Sequence, residues 1–132
     1  MAATSAKPDA HRRVLVVEDD NSVCELIGDV LESLDCETVC VQSDREAYDV
    51  LPTQPKFTVL LVDVNLGAGT TGFDVARFAR QVIPDVAVVY VSGQASPHSF
   101  KAFGVPDSAF VAKPFTADEL LEAVRSKIPA ND

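Results

Sequence analysis

Apolar residues fall in five short runs, at 14–17, 38–41, 59–62, 86–91 and 109–112, and in the stretches between them they recur every three or four positions. Runs of that length fit strands buried on both faces, while the intervening period fits amphipathic helices that cover them. Val23, Ile27, Val30, Leu31 and Leu34 make the clearest helical stripe, with Asp20 or Asn21 placed to cap its start. A short second helix is expected over 45–51, stopping before Pro52, and a third over 73–82, with Val75, Phe78, Ala79 and Val82 on one stripe. The weakest is a fourth over 96–103, ending before Gly104. Thr116 is the N-cap expected for the last, with Leu120, Leu121, Val124 and Ile128 inward and Pro129 after its end.

Strands that alternate with helices pair most economically as a parallel sheet, because right-handed crossovers place the helices on both faces. The expected fold class is therefore α/β, a flavodoxin-like doubly wound five-stranded parallel sheet of order 2-1-3-4-5, or (βα)5. One domain over 13–128 is expected, between a disordered N-terminal tail at 1–12 and a C-terminal tail at 129–132. In such sheets the site lies at the carboxyl ends of the strands where the order reverses, here between the first and third strands.

Charge and composition narrow the function. With 11 Lys and Arg against 20 Asp and Glu the net charge is 11 − 20 = −9, and no basic cluster reverses it locally, which argues against direct nucleic-acid binding. The longest apolar stretches, 58–62 and 86–91, fall far short of the ~20 residues of a membrane span, and 1–13 has no apolar centre of a secretory signal. A cytoplasmic location is expected. Cys24, Cys36 and Cys40 lack paired C-x-x-C spacing and read as reduced core or half-buried residues of a cytosolic protein. His11 and His98 have no His or Cys nearby, which disfavours a histidine metal site.

The strand ends carry the chemistry. The first strand ends in Glu18, Asp19 and Asp20 and the third in Asp63, so the fold gathers carboxylates that repel one another at one crevice. A hard divalent cation, Mg²⁺ or Mn²⁺, resolves that repulsion. The plainer reading is that Asp19 and Asp20 cap the following helix. The fourth strand ends in Ser92 before Gly93 and the fifth in Lys113 before Pro114. A hydroxyl and an ammonium beside a carboxylate can hold the oxygens of a phosphoryl group.

The segments VLVVEDD at 14–20, LLVDVN at 60–65, VSG at 91–93 and FVAKPF at 110–115 together resemble the receiver domain of response regulators, the CheY-like family of two-component signalling. The resemblance implies a phosphoprotein in which Asp63 accepts a phosphoryl group from a partner phosphohistidine. It implies Mg²⁺ held by Asp19, Asp63 and the Asn65 backbone carbonyl, with Glu18 acting through water. It further implies Ser92 and Lys113 on the phosphoryl oxygens, Ser92 and Phe110 as switch residues, and a cis bond between Lys113 and Pro114. The implied partners are a histidine kinase or histidine phosphotransfer protein and a downstream protein target. That target would be read by the fourth helix, fifth strand and last helix of a monomer or weak homodimer. Such a domain signals and at most dephosphorylates itself slowly. Three departures from the common pattern stand out: a loop with Gly67 where proline is usual and Gly72 one residue late, Ser92 for threonine, and Phe110 for tyrosine.

Two rival motifs are weaker. Gly67, Gly69 and Gly72 spell a dinucleotide fingerprint, but not in the first βαβ unit, and a loop that needs glycine's positive φ explains them. Asp63-Val64-Asn65 is similar to the haloacid-dehalogenase nucleophile motif of aspartyl-phosphate hydrolases, yet Asn65 stands where the general acid would be and Glu18 to Asp20 precede it. A flavodoxin-type flavin site is disfavoured by three acids facing the cofactor phosphate.

Overall fold

The computed structural model describes residues 12–54, 56–65, 71–93, 101 and 103–128. The chain runs β1 (Arg12–Val17), α1 (Asn21–Glu32), β2 (Cys36–Val41), α2 (Asp44–Thr53), β3 (Val59–Asp63), α3 (Gly72–Val82), β4 (Ala87–Ser92), β5 (Ser108–Ala112) and α4 (Ala117–Lys127). All neighbouring strands are parallel, in the order β2-β1-β3-β4-β5, which is the 2-1-3-4-5 sheet expected from the alternation.

Side-chain alternation along the buried strands makes two cores. Leu15, Val17, Leu60, Val62, Val88 and Tyr90 face α2 and α3, and Val14, Val16, Val59, Leu61, Val89 and Val91 face α1 and α4. Burial on both faces explains why these strands read as continuous apolar runs. A one-residue slip would exchange the two side-chain sets between these cores, so packing against the helices on each face fixes the register and with it the sheet's carboxyl edge.

The helix starts follow capping chemistry. Asp20 accepts from the Ser22 and Val23 amides, and Thr71 and Thr116 form reciprocal boxes with Asp74 and Glu119. One boundary needs correction: α2 continues through Pro52 to Thr53 instead of stopping before the proline. Proline here falls in the last turn, where few ladder bonds remain to lose, and the Thr53 hydroxyl donates to the Asp49 carbonyl at 2.6 Å.

The cysteines also need correction. Cys24 and Cys40 are joined as a disulfide, Cα to Cα 6.2 Å, and Cys36 alone is free. The first turn of α1 lies over the end of β2, a proximity that sequence spacing does not reveal. The 1–11 part of the expected tail, the 129–132 tail, and Gly67 and Gly69 lie outside the described residues. So does most of the expected 96–103 helix. Lys101 and Phe103 are helical, and Phe103 is 58% exposed.

Candidate functional site

Three strand ends meet at the crevice between β1 and β3. Glu18 follows β1 and is 2% exposed, Asp63 closes β3 at 6%, and Ser92 closes β4 at 1%. Lys113, one residue past β5, reaches in and places its Nζ 2.9 Å from Glu18 Oε1 and 3.1 Å from Asp63 Oδ2. The ammonium thus bridges two buried acids that would otherwise repel. Its backbone is set by a bond from Lys113 N to the Ser92 carbonyl at 3.0 Å, and the Lys113–Pro114 peptide is cis.

Burial pushes the Glu18 carboxyl up from its usual range, against the pull of the Lys113 hydrogen bond and the Asp20 amide. For Lys113, burial opposes the charge, but the hydrogen bonds it donates to Glu18 and Asp63, with their negative charges, outweigh it and raise the pKa above that of an ordinary lysine. The ammonium is therefore fully charged at neutral pH.

Asp19 is exposed, and one oxygen each from Glu18, Asp19 and Asp63 lie within 4.8 Å of one another. Three hard carboxylate oxygens at that spacing fit a small divalent cation such as Mg²⁺ or Mn²⁺ and offer nothing to a soft metal. Asp20 is not one of them. It turns away to cap α1, so the capping and clustering readings of this acidic run are each right for a different residue. Asn65 is exposed, with its amide donating to Asp63 Oδ1 at 3.0 Å.

Gly72 is what lets α3 begin against this edge. Its amide donates to the Val64 carbonyl at 2.8 Å, and a β-carbon there would collide with the Asp63 carbonyl oxygen. Close backbone approach, not a positive φ, is the reason for glycine at this position.

Phe110 is half-buried in β5, in register with Tyr90 on β4. The sequence reading passed over Tyr90, whose hydroxyl accepts the Val105 amide at 2.9 Å and whose ring lies 5.0 Å from Phe73. A tyrosine in an otherwise aliphatic strand was the available signal, because a buried phenol needs a hydrogen-bond partner.

Comparison with known proteins follows the same line. The family model described as the response regulator receiver domain matches residues 14–125. The chain belongs to that family. It is 26% identical to the response regulator receiver protein CpdR of Brucella abortus, over 90% of this chain and 98% of that one. It is 32% identical to nodulation protein W of Bradyrhizobium diazoefficiens, over 84% of this chain and 48% of that one. The receiver chain thus spans about half the length of several curated relatives, among them the transcriptional regulatory protein CrdR of Helicobacter pylori. Among solved structures, a response regulator receiver protein from Sinorhizobium medicae superposes with a TM-score of 0.84 at 26% identity, covering 92% of this chain and 98% of that one. The response regulator TrrA of Thermotoga maritima, solved in complex with Mg²⁺ and BeF, shares the fold, with a TM-score of 0.76 at 24% identity over 89% of this chain and 99% of that one.

Proposed function

We propose that this receiver domain, over 13–128, is a phosphoryl-accepting switch of a two-component or phosphorelay system, with Asp63 as the acceptor. The observation that supports this most is Lys113 held between Glu18 and Asp63, a cation fixed beside a buried carboxylate at the mouth of a crevice. A carboxylate oxygen of Asp63 forms a bond to phosphorus while the bond from phosphorus to the partner's histidine nitrogen breaks, leaving its electron pair on that nitrogen. Glu18, Asp19, Asp63 and the Asn65 carbonyl would hold Mg²⁺ or Mn²⁺, which when bound offsets the negative charge on the phosphoryl oxygens. The Mg²⁺ in the TrrA complex is in keeping with this.

Lys113 and Ser92 then take phosphoryl oxygens. Displacement of the Ser92 hydroxyl toward them frees space for Phe110, and the surface made by the helix expected over 96–103, β5 and α4 changes for a downstream protein. The donor is a histidine kinase or histidine phosphotransfer protein, and the domain itself at most dephosphorylates slowly, as a cytoplasmic monomer or weak homodimer. Among the described residues no helix is long and apolar enough to cross a membrane.

The test is acetyl phosphate with Mg²⁺, read by intact mass at neutral pH. The wild type is expected to gain one phosphoryl group and Asp63→Asn none; equal labelling of both refutes the assignment.

A further inference from the structure

Three successive residues at the end of β2 hold the loop that carries the acids. The Cys40 sulfur is bonded to Cys24 in the first turn of α1. The Val41 carbonyl accepts the Glu18 amide at 3.0 Å, and Gln42 Nε2 donates to Asn21 Oδ1 at 3.0 Å. These rungs bracket residues 18–24, the stretch that places Glu18 and Asp19 and caps α1 through Asp20. Two are hydrogen bonds. The third is covalent, and it is the one that thiol chemistry can open.

Access to the two sulfurs is unequal. Cys24 is 2% exposed, whereas Cys40 lies on the open edge strand and is exposed. A thiolate from solvent therefore meets Cys40 first and leaves Cys24 as the departing sulfur. Cys36 sits on the same face of β2 but is half-buried, and burial pushes its thiol pKa up, which keeps it a poor competitor.

We propose that Cys24 and Cys40 form a thiol–disulfide exchange site that sets how firmly the acid-bearing loop is held. The pair is open where small thiols predominate and closed when a small disulfide is abundant. Opening consumes two molecules of a low-molecular-weight thiol such as glutathione. The first forms a mixed disulfide at Cys40 and releases Cys24, which takes a proton. The second attacks the small-molecule sulfur of that bond, releasing Cys40 as a thiol and the small thiols as their disulfide. Two electrons pass to the protein. Closing is the reverse, with oxidised glutathione as oxidant. With the pair open, β2 keeps its hold on residues 18–24 through the two hydrogen-bonded rungs. The consequence for cation and phosphoryl binding rests on the function proposed above; the exchange itself does not.

The test equilibrates the whole chain in glutathione buffers of stepped oxidised-to-reduced ratio, followed by acid quench, alkylation and intact mass. Alkylated cysteines are expected to pass reversibly from one, Cys36, to three. Amide exchange over 18–24 is expected to be slower in the closed form. Cys40→Ser, a change at an exposed position, should behave as open at every ratio. Gln42→Ala should loosen the same stretch yet still respond to glutathione. Three alkylated cysteines at every ratio, or equal exchange over 18–24 in both forms, overturns the proposal. Mg²⁺ calorimetry on each form separates the two readings. Binding up to about tenfold tighter when closed extends the coupling to the acids, in line with the effect of outer-shell supports on metal affinity. Failure of both forms to bind Mg²⁺ instead removes the cation reading and leaves the exchange result to decide the clasp.

Discussion

A single β-carbon separates glycine from alanine, and at positions 28 and 72 it meets opposite surroundings. In the middle of α1, a β-carbon on residue 28 would rest 3.9 Å from Thr38 Cγ2, an ordinary contact. Gly28→Ala is therefore expected to stabilise the fold by about 1 kcal/mol, the helix-propensity difference. Gly72→Ala drives an atom into the Asp63 carbonyl and is expected to cost roughly 1–3 kcal/mol, as overpacking does. Urea denaturation of the two variants, read against the wild type, checks both signs. The glycine at 72 was visible in the sequence, but its reason was not, because close approach of two backbones is a tertiary fact. The acidic run was legible in the same partial way. Glu18 and Asp19 face Asp63 while Asp20 caps, and only the turn into α1 sorts them. On the proposed cation reading, millimolar Mg²⁺ should raise the melting temperature of the wild type by mass action, and much less that of Asp19→Asn. An equal rise in both would place the ion elsewhere.

Elements are joined at places that no local pattern announces. Arg80, in the last turn of α3, donates to the carbonyls of Val86 at 2.8 Å, Pro106 at 2.7 Å and Asp107 at 3.2 Å. One guanidinium thus ties the helix to the approach of β4 and to the turn entering β5. In that turn Asp107 has φ 57° and pairs with Lys127 of α4 at 3.0 Å. Arg80→Ala strips a charged donor from three carbonyls and is expected to lower stability by about 2 kcal/mol. Arg80→Lys should recover only part of it, since an ammonium lacks the planar fork. Thermal or urea unfolding of both variants checks this. The capping boxes at Thr71 and Thr116 span four residues and need nothing distant. Thr116 was readable as a cap for that reason, whereas the Arg80 clamp spans 27 residues and the Cys24–Cys40 link spans 16.

At the scale of the molecule, strand order was legible because handedness and alternation leave few ways to wind such a chain. The meeting of Glu18, Asp63 and Lys113 was legible for the same reason: parallel strands bring all their carboxyl ends to one edge. Their order along the chain has a consequence for how the domain comes into being. Both buried acids are made early, just after β1 and at the end of β3, and the ammonium that bridges them arrives only after β5. A nascent chain that has emerged only to residue 107 holds two carboxylates with no Lys113 to bridge them, and burying either uncompensated is strongly unfavourable. Settling of the first four strands with both acids buried and ionised is thus disfavoured ahead of the fifth, and their assembly is expected to gain most of its stability when the last strand docks. A fragment of residues 1–107 is expected to show no cooperative unfolding transition, while the same fragment carrying Glu18→Gln and Asp63→Asn should recover part of its amide protection. A wild-type fragment as well protected as the full chain would show that completion of the domain does not depend on its final cation.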